Sequence, residues 1–401
     1  MTTPVTTPQK NIMPLVVWGL SLGQALLITG NILLVSVSAL IGKQLAPSPT
    51  WITLPVALQF LGLMGVTLPA AHLVRRVGRK KVFLIGNLTG VLGATVAYLA
   101  LSNMQFTWFC AGTFLLGMAI GVGQQYRFAA VENAGAGQQA NAVSLVMAGG
   151  VLAAVLGPNL AIWAKSDAAG QQYLNAFLIL LGLYVLTLIL VAVLPIKTQS
   201  LSEQSGEVRS YAELFQQPLL SAAIVSGTIG YAVMVLIMTA TPLAMMSANF
   251  EFSHSAHVIQ WHVLGMFIPS FFTGKLIARF GERAIILIGC VLLLACEIVN
   301  QMGHSYMHFT SALIALGVGW NFTFIGATTL LTRTYRPAEK AKVQGINDFL
   351  IFTFAALASL FAGYWQNTLG WTVLNALMMP ATLIAMALLY RGFKLESRKT
   401  I

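Results

Sequence analysis

The chain has 401 residues, of which 57% are hydrophobic and 8% charged, and its net charge is +11; its mean hydropathy is +0.79 and its isoelectric point about 9.7. A water-soluble globular domain carries roughly a quarter of its residues as charges, so this composition excludes one and leaves most of the surface to lipid. Cys110, Cys290 and Cys296 all sit inside apolar runs, which excludes a disulfide framework.

Residues 1–11 form a short polar leader, and Met13 opens an apolar run too long for the core of a cleavable signal. Twelve apolar stretches follow in chain order, over 13–40, 51–74, 82–102, 106–131, 141–164, 172–195, 217–246, 255–277, 283–302, 307–332, 345–367 and 371–390. Each reaches or approaches the ~20 residues a helix needs to cross ~30 Å of hydrocarbon. Helices are required because lipid satisfies no backbone groups. With the N-terminus in the cytoplasm, twenty of the twenty-two Lys and Arg fall on the cytoplasmic side, and Lys43 and Lys165 fall outside. That asymmetry is the positive-inside pattern. It places both termini in the cytoplasm of a cell with an inner membrane, and it assigns the basic isoelectric point to orientation, with no nucleic-acid partner.

An internal repeat runs through these spans. Arg76-Val77-Gly78-Arg79-Lys80 closes the second span and Arg279-Phe280-Gly281-Glu282-Arg283 closes the eighth, an offset of 203 residues between Gly78 and Gly281. The same offset pairs Gly62 with Gly265 and Gln59 with His262. Leu116-Gly117 in the fourth span matches Leu316-Gly317 in the tenth. The halves are read as 1–195 and 217–401, joined by a polar cytoplasmic linker over 196–216. Parallel six-span repeats form a transporter architecture with its solute site at mid-membrane between the halves.

Over essentially its whole length the sequence resembles the major facilitator superfamily. The family's loop between spans two and three reads Gly-x-x-x-Asp-Arg-x-Gly-Arg-Arg/Lys; here it is Ala71-x-x-x-Arg75-Arg76-Val77-Gly78-Arg79-Lys80, with a second copy at Gly274-x-x-x-Ala278-Arg279-Phe280-Gly281. The acidic residue is missing from both copies. The resemblance implies an all-α, polytopic fold of twelve transmembrane helices in two six-helix halves. It also implies that the loop acid faces the start of span eleven and helps close the inner gate. Here Arg75 holds that position and span eleven opens with Asn347-Asp348, so an Arg75–Asp348 pair with exchanged charges is one expectation. The other is that Arg75 only adds to the positive-inside signal while Asp348 favours a helix N-terminus. Glu132, at the inner end of span four, is expected in a charge network with Arg76 or Arg79.

In the family, spans one, four, seven and ten line the cavity. Their polar residues and methionines become candidate solute contacts: Gln24 and Asn31, seven apart on one helix face, Gln124 and Gln125, Tyr231 and Met238, and Trp320 and Asn321. Arg127 either joins the Glu132 network or points into the cavity to bind an anionic group. An amide, aromatic and methionine lining suits a mid-sized organic solute with flat or apolar parts. Interhelical hydrogen bonding is the alternative for any single amide. His262 and Glu297 are ionisable groups within spans, and so are candidates for proton coupling.

The six His and three Cys have no metal-ligand spacing, and no Gly-Lys-Ser/Thr phosphate loop exists. Transport is therefore expected to draw on a gradient of protons or another ion, with no cofactor, and to involve a monomer in the bilayer. The chain is expected not to be an enzyme. The leading functional expectation is proton-coupled efflux of amphipathic compounds by alternating access. Nutrient or vitamin uptake is the alternative, and a non-transporting membrane sensor or scaffold is the alternative of another class.

Overall fold

A computed structural model of the chain describes residues 13–135, 138–165, 172–196 and 208–399. Every long apolar run forms a helix, and no strand occurs among the described residues. The first span is Leu15–Leu45, the second Leu54–Val77, the third Arg79–Ser102 and the fourth Phe106–Gly123 continued by Tyr126–Asn133. Gln139–Ala164 and Leu174–Val193 complete the first half. In the second half the seventh span is Pro218–Ser247, the tenth Tyr306–Thr332, the eleventh Lys340–Thr368 and the twelfth Gly370–Lys399. The eighth starts as Phe252–Phe267; the helix Ser270–Met302 finishes it, changes direction at Gly281 and continues as the ninth.

Among the described residues ten helices are long and apolar enough to cross a membrane, and Ala148–Ala164 adds a shorter apolar one. Dividing Ser270–Met302 at Gly281 supplies the twelfth span. The protein is a multi-pass membrane protein. Many hydroxyls inside the spans turn back onto their own helix, as in Thr29 to the Ala25 carbonyl at 2.7 Å and Ser36 to the Ile32 carbonyl at 2.8 Å. Their donors are thereby satisfied without water.

The repeat is visible in the backbone itself. Gly78 has φ 87° and ψ 157°, and Gly281 has φ 81° and ψ 157°. Both Arg-x-Gly turns thus use one left-handed conformation that favours glycine. The close helix contacts repeat too. A methyl on Gly117 would overlap the Gln59 carbonyl, and a methyl on Gly317 would overlap the His262 carbonyl. Gln59 and His262 therefore occupy corresponding places, each beneath a glycine of the neighbouring span.

Two spans are interrupted where the sequence reads as continuous. The fourth breaks at Gln124–Gln125 and restarts at Tyr126. The eighth breaks at Ile268–Pro269, because proline lacks the N–H that would continue the ladder.

The two halves meet along spans two and eleven and along spans five and eight. At the face opposite the basic loops this contact is a seal. The Thr53 hydroxyl donates to the Leu360 carbonyl at 3.0 Å and accepts the Gly363 N–H at 3.1 Å. Asn159 donates to Gln260 at 3.0 Å, and the rings of Tyr173 and Phe252 meet edge-on at 5.4 Å.

Most of the expected linker lies outside the described residues, but its end is docked on the second half. Ser210 caps the helix Tyr211–Phe215 in a reciprocal box with Glu213. The Ser210 backbone N–H and hydroxyl hold the Glu213 carboxyl below its ordinary range, so the box is intact at neutral pH and is lost only on acidification below that range. Arg209 makes two parallel bonds of 2.6 Å to Glu339 in the turn before span eleven, and Lys342 donates to the Arg209 carbonyl at 2.6 Å. The Glu339 side chain is fully buried beneath Arg209. Glu339→Ala leaves that guanidinium only its 3.2 Å bond to the Thr334 carbonyl, and a loss of about 1–3 kcal/mol is expected. It would be read as a lower melting temperature of the purified protein in detergent; an unchanged melting temperature would show that the docking carries no stability.

Candidate functional site

Five aromatic rings from four spans meet near mid-membrane. Tyr231 of the seventh span is the hub. Its ring lies edge-on to Trp320 at 5.7 Å, to Phe324 at 5.6 Å, to Phe352 at 5.9 Å and to Phe60 at 6.4 Å. Trp320 and Phe324, one turn apart on the tenth span, stack at 5.0 Å with an interplanar angle of 9°. Phe60 comes from the first half and the other four from the second, so the cluster sits on the boundary between halves. Beside it Thr353 of span eleven approaches the Met64 sulfur of span two at 3.3 Å. Tyr231, Trp320, Phe324 and Phe352 are each half-buried. Tyr231, Trp320 and Phe352 pack on a core cluster that includes Val35, Val56 and Phe60 of the first half.

Polar groups border the rings. Gln59 precedes Phe60, and its Nε2 donates to Asn31 Oδ1 of the first span at 2.6 Å. Gln59 Oε1 is buried with no partner among the described residues, as are Gln24 Oε1 and the Trp320 indole Nε1. Buried polar atoms are almost always paired in native proteins, so unpartnered ones beside such a cluster mark where a ligand's hydrogen bonds would fall.

Toward the basic face the site becomes charged. Asp348 lies one helical turn before Phe352 on span eleven and accepts from Asn347 at 3.1 Å. Arg127 of the fourth span is exposed and lies over the Phe128 ring at 4.9 Å. Gln124 and Gln125, at the break in span four, are half-buried.

Other expectations resolve differently. Asn321 does not line the cavity. It is fully buried on the side of span ten that faces span eight, donating to the Met266 carbonyl at 2.7 Å and to Ser270 Oγ at 2.6 Å, while Thr273 donates to its Oδ1 at 2.6 Å. It staples span eight across the Pro269 break, where the missing N–H leaves the ladder open. Met238, two turns beyond Tyr231, is buried in a core cluster shared with Val35, Val56 and Phe60 of the first half. His262 is fully buried, and its Nδ1–H donates to the Leu313 carbonyl at 2.9 Å, with Nε2 unpartnered. Glu297 is also fully buried and accepts from Thr382 of span twelve at 2.8 Å, away from the ring cluster.

At the basic face Glu132 pairs with Arg79 through both carboxylate oxygens, one bond being 2.6 Å. Arg76 and Arg279 are exposed. The side chain of Arg75 lies outside the described residues, and with it the expected pair with Asp348. An apolar crevice of about 500 Å³ opens between spans two and four, along Leu54, Leu58, Phe106 and Phe114. Its walls offer almost no polar group, so it has nothing with which to orient a solute.

Sequence reasoning missed Phe60, Phe324 and Phe352. Trp320 and Phe324 stand four residues apart on a cavity-lining span, a signal that was present. Phe60 and Phe352 lie on spans outside the set considered.

Twelve helices in two repeated halves that meet around this ring cluster are the architecture of a membrane transporter. The chain belongs to the Major Facilitator Superfamily, whose family model matches residues 20–299 and 229–400. The riboflavin transporter RfnT of Brucella anthropi is 38% identical over 380 residues, covering 94% of each chain. The uncharacterised transporter YdeG of Bacillus subtilis, of the same family type, is 31% identical over 370 residues, covering 86% of each. The crystal structure of the nucleoside transporter NupG matches with a TM-score of 0.70 at 13% identity, covering 94% of this chain and 100% of that one. That last likeness concerns the fold alone.

Proposed function

We propose that this chain imports riboflavin or a closely related flat heteroaromatic vitamin across the cytoplasmic membrane by alternating access. The observation that carries this reading is the five-ring cluster around Tyr231 at the boundary of the halves. Planar rings stack on aromatic faces, and such stacking contributes about 1–3 kcal/mol per ring where it has been measured for nucleobases. The amides of Asn31 and Gln59, the latter next to Phe60, supply hydrogen bonds beside the stack. Similarity to the riboflavin transporter RfnT over nearly the full length supports the same solute class. In this reading the basic face is cytoplasmic, both termini lie inside, and the protein works as a monomer. The sealed face is then the outer one.

The test is uptake of radiolabelled riboflavin by proteoliposomes holding the purified protein under an imposed proton gradient. Saturable accumulation competed by unlabelled riboflavin is expected. No accumulation, together with extrusion of amphipathic dyes, would establish efflux instead.

Protons are the proposed coupling ion, with Asp348 as the coupling group in preference to His262 and Glu297. Asp348 stands at the site and faces both halves, whereas those two are enclosed within the second half. Asp348→Asn is expected to abolish gradient-driven accumulation while leaving riboflavin–riboflavin exchange largely intact. Loss of both in a stably folded variant would make Asp348 a solute contact or structural residue instead.

A further inference from the structure

Asn31 and Gln59 form a polar pair whose leftover hydrogen-bonding capacity has a definite shape. A primary amide carries two N–H donors and one carbonyl acceptor. Gln59 spends a donor on the Asn31 carbonyl at 2.6 Å. Gln59 Oε1 is left as a buried acceptor without a partner, and Asn31 Nδ2 is left as a donor on a half-exposed residue. Beyond that bond the pair keeps one unpartnered carbonyl and three N–H donors, and turning both amides over only exchanges which residue holds the carbonyl. The pair therefore presents the complement of a lactam or imide edge, in which an N–H adjoins a carbonyl.

The placement fits such a reader. Gln59 is next in sequence to Phe60, the first-half ring that touches Tyr231. Val35, one turn from Asn31, shares a core cluster with Phe60 and Met234. Gln24, seven residues before Asn31 on the same helix face, adds a second buried acceptor without a partner. By contrast Asn300 and Asn375 also pair, at 2.8 Å, but both are fully buried between spans nine and twelve, away from the rings. In the second half the place of Gln59 is taken by His262, so the reader exists on one side of the pseudo-symmetry only.

We infer that Asn31 and Gln59 are specificity-determining residues that read the imide edge of a planar solute held in the ring cluster, with Gln59 Oε1 accepting the ring N–H and Asn31 Nδ2 donating to the adjoining ring carbonyl. The inference rests on the proposed flavin reading, because the isoalloxazine ring carries such an edge, an N3–H between two carbonyls.

The test compares two probes on the purified full-length protein in lipid nanodiscs: lumiflavin, and 3-methyllumiflavin, in which a methyl group replaces the N3 hydrogen. Binding is followed by quenching of flavin fluorescence. The wild type is expected to bind lumiflavin about tenfold or more tightly than the methylated probe, because a site built around an N–H leaves its own buried acceptor unpaired when the N–H is missing. In Gln59→Leu and in Asn31→Leu, each checked for folding by its elution profile and melting curve, the two affinities are expected to converge, chiefly through weaker lumiflavin binding. Equal affinities in the wild type would overturn the inference while leaving the flavin reading in place; that arm needs no variant. Unchanged discrimination in both folded variants would also overturn it. Failure of the wild type to bind either probe would overturn the flavin reading, and this inference with it.

Discussion

Replacing Tyr231 by alanine is expected to lower riboflavin affinity by about tenfold to a hundredfold, and uptake with it. The ring touches Trp320, Phe324, Phe352 and Phe60. Edge-to-face pairs contribute about 0.5–1.5 kcal/mol each, and each ~1.4 kcal/mol is a factor of ten in affinity. The contacts are not additive, since the remaining rings close in on the gap. Tyr231→Phe keeps the ring and removes the hydroxyl, so it should retain most of the affinity. Trp320→Ala should match the loss in Tyr231→Ala, because it removes one face of the stacked pair. Binding titrations of the three variants check this. If Tyr231→Ala bound like the wild type, the cluster would be core packing and not a solute site.

The second large effect is expected at Gly363. A methyl there would lie 2.8 Å from Thr53 Cγ2 and 2.9 Å from Thr53 Oγ1, so leucine cannot be accommodated while spans two and eleven stay in contact. Gly363→Leu should force that face apart and favour a conformation open there. The three native cysteines are all buried, so a cysteine introduced in place of Asn31 can report access. A bulky, membrane-impermeant thiol reagent applied from the sealed face should label it slowly in the otherwise native protein. In the Gly363→Leu background labelling should be at least about tenfold faster, as a shift of roughly 1.4 kcal/mol in the balance of two states would produce. Transport should fall because the cycle stalls in one state. Equal labelling rates would mean that Thr53 and Gly363 do not hold the seal.

Much of the fold was legible because each of its determinants is local or periodic. Hydrocarbon thickness sets the length of an apolar run, the placement of Lys and Arg sets its direction, and the Arg-x-Gly turn marks equivalent points in each half. Gly78 and Gly281 share their backbone angles because both solve the same reversal between spans. What was less legible depends on direction around a helix. Asn321 follows Trp320 in sequence yet points about 100° away from it, toward span eight, where it bridges the Pro269 break. Phe60 and Phe352 could not be singled out because nothing in a span's composition says which apolar face meets the other half. The break at Gln124–Gln125 carries no proline, and its neighbouring glycines, Gly121 and Gly123, are common in packed spans. The pairing of Glu132 was foreseen only as a choice among Arg76, Arg79 and Arg127, and geometry selects Arg79.

The charged end illustrates the same limit. Arg127 and Asp348 lie more than two hundred residues apart in different halves, and no periodicity or motif in the sequence links them. Their cross-half position gives a reason for a carboxylate at the start of an otherwise apolar span. A charge there can respond to the solute and to the relative movement of the halves.

Calorimetric titration of riboflavin into the purified, detergent-solubilised protein tests the central claim most directly. A single saturable site is expected, weakened in Trp320→Ala and retained in a control such as Arg279→Ala on the exposed basic face. Absence of binding up to the solubility limit of riboflavin, in protein that still melts cooperatively, would contradict the assignment of the ring cluster as a flavin site.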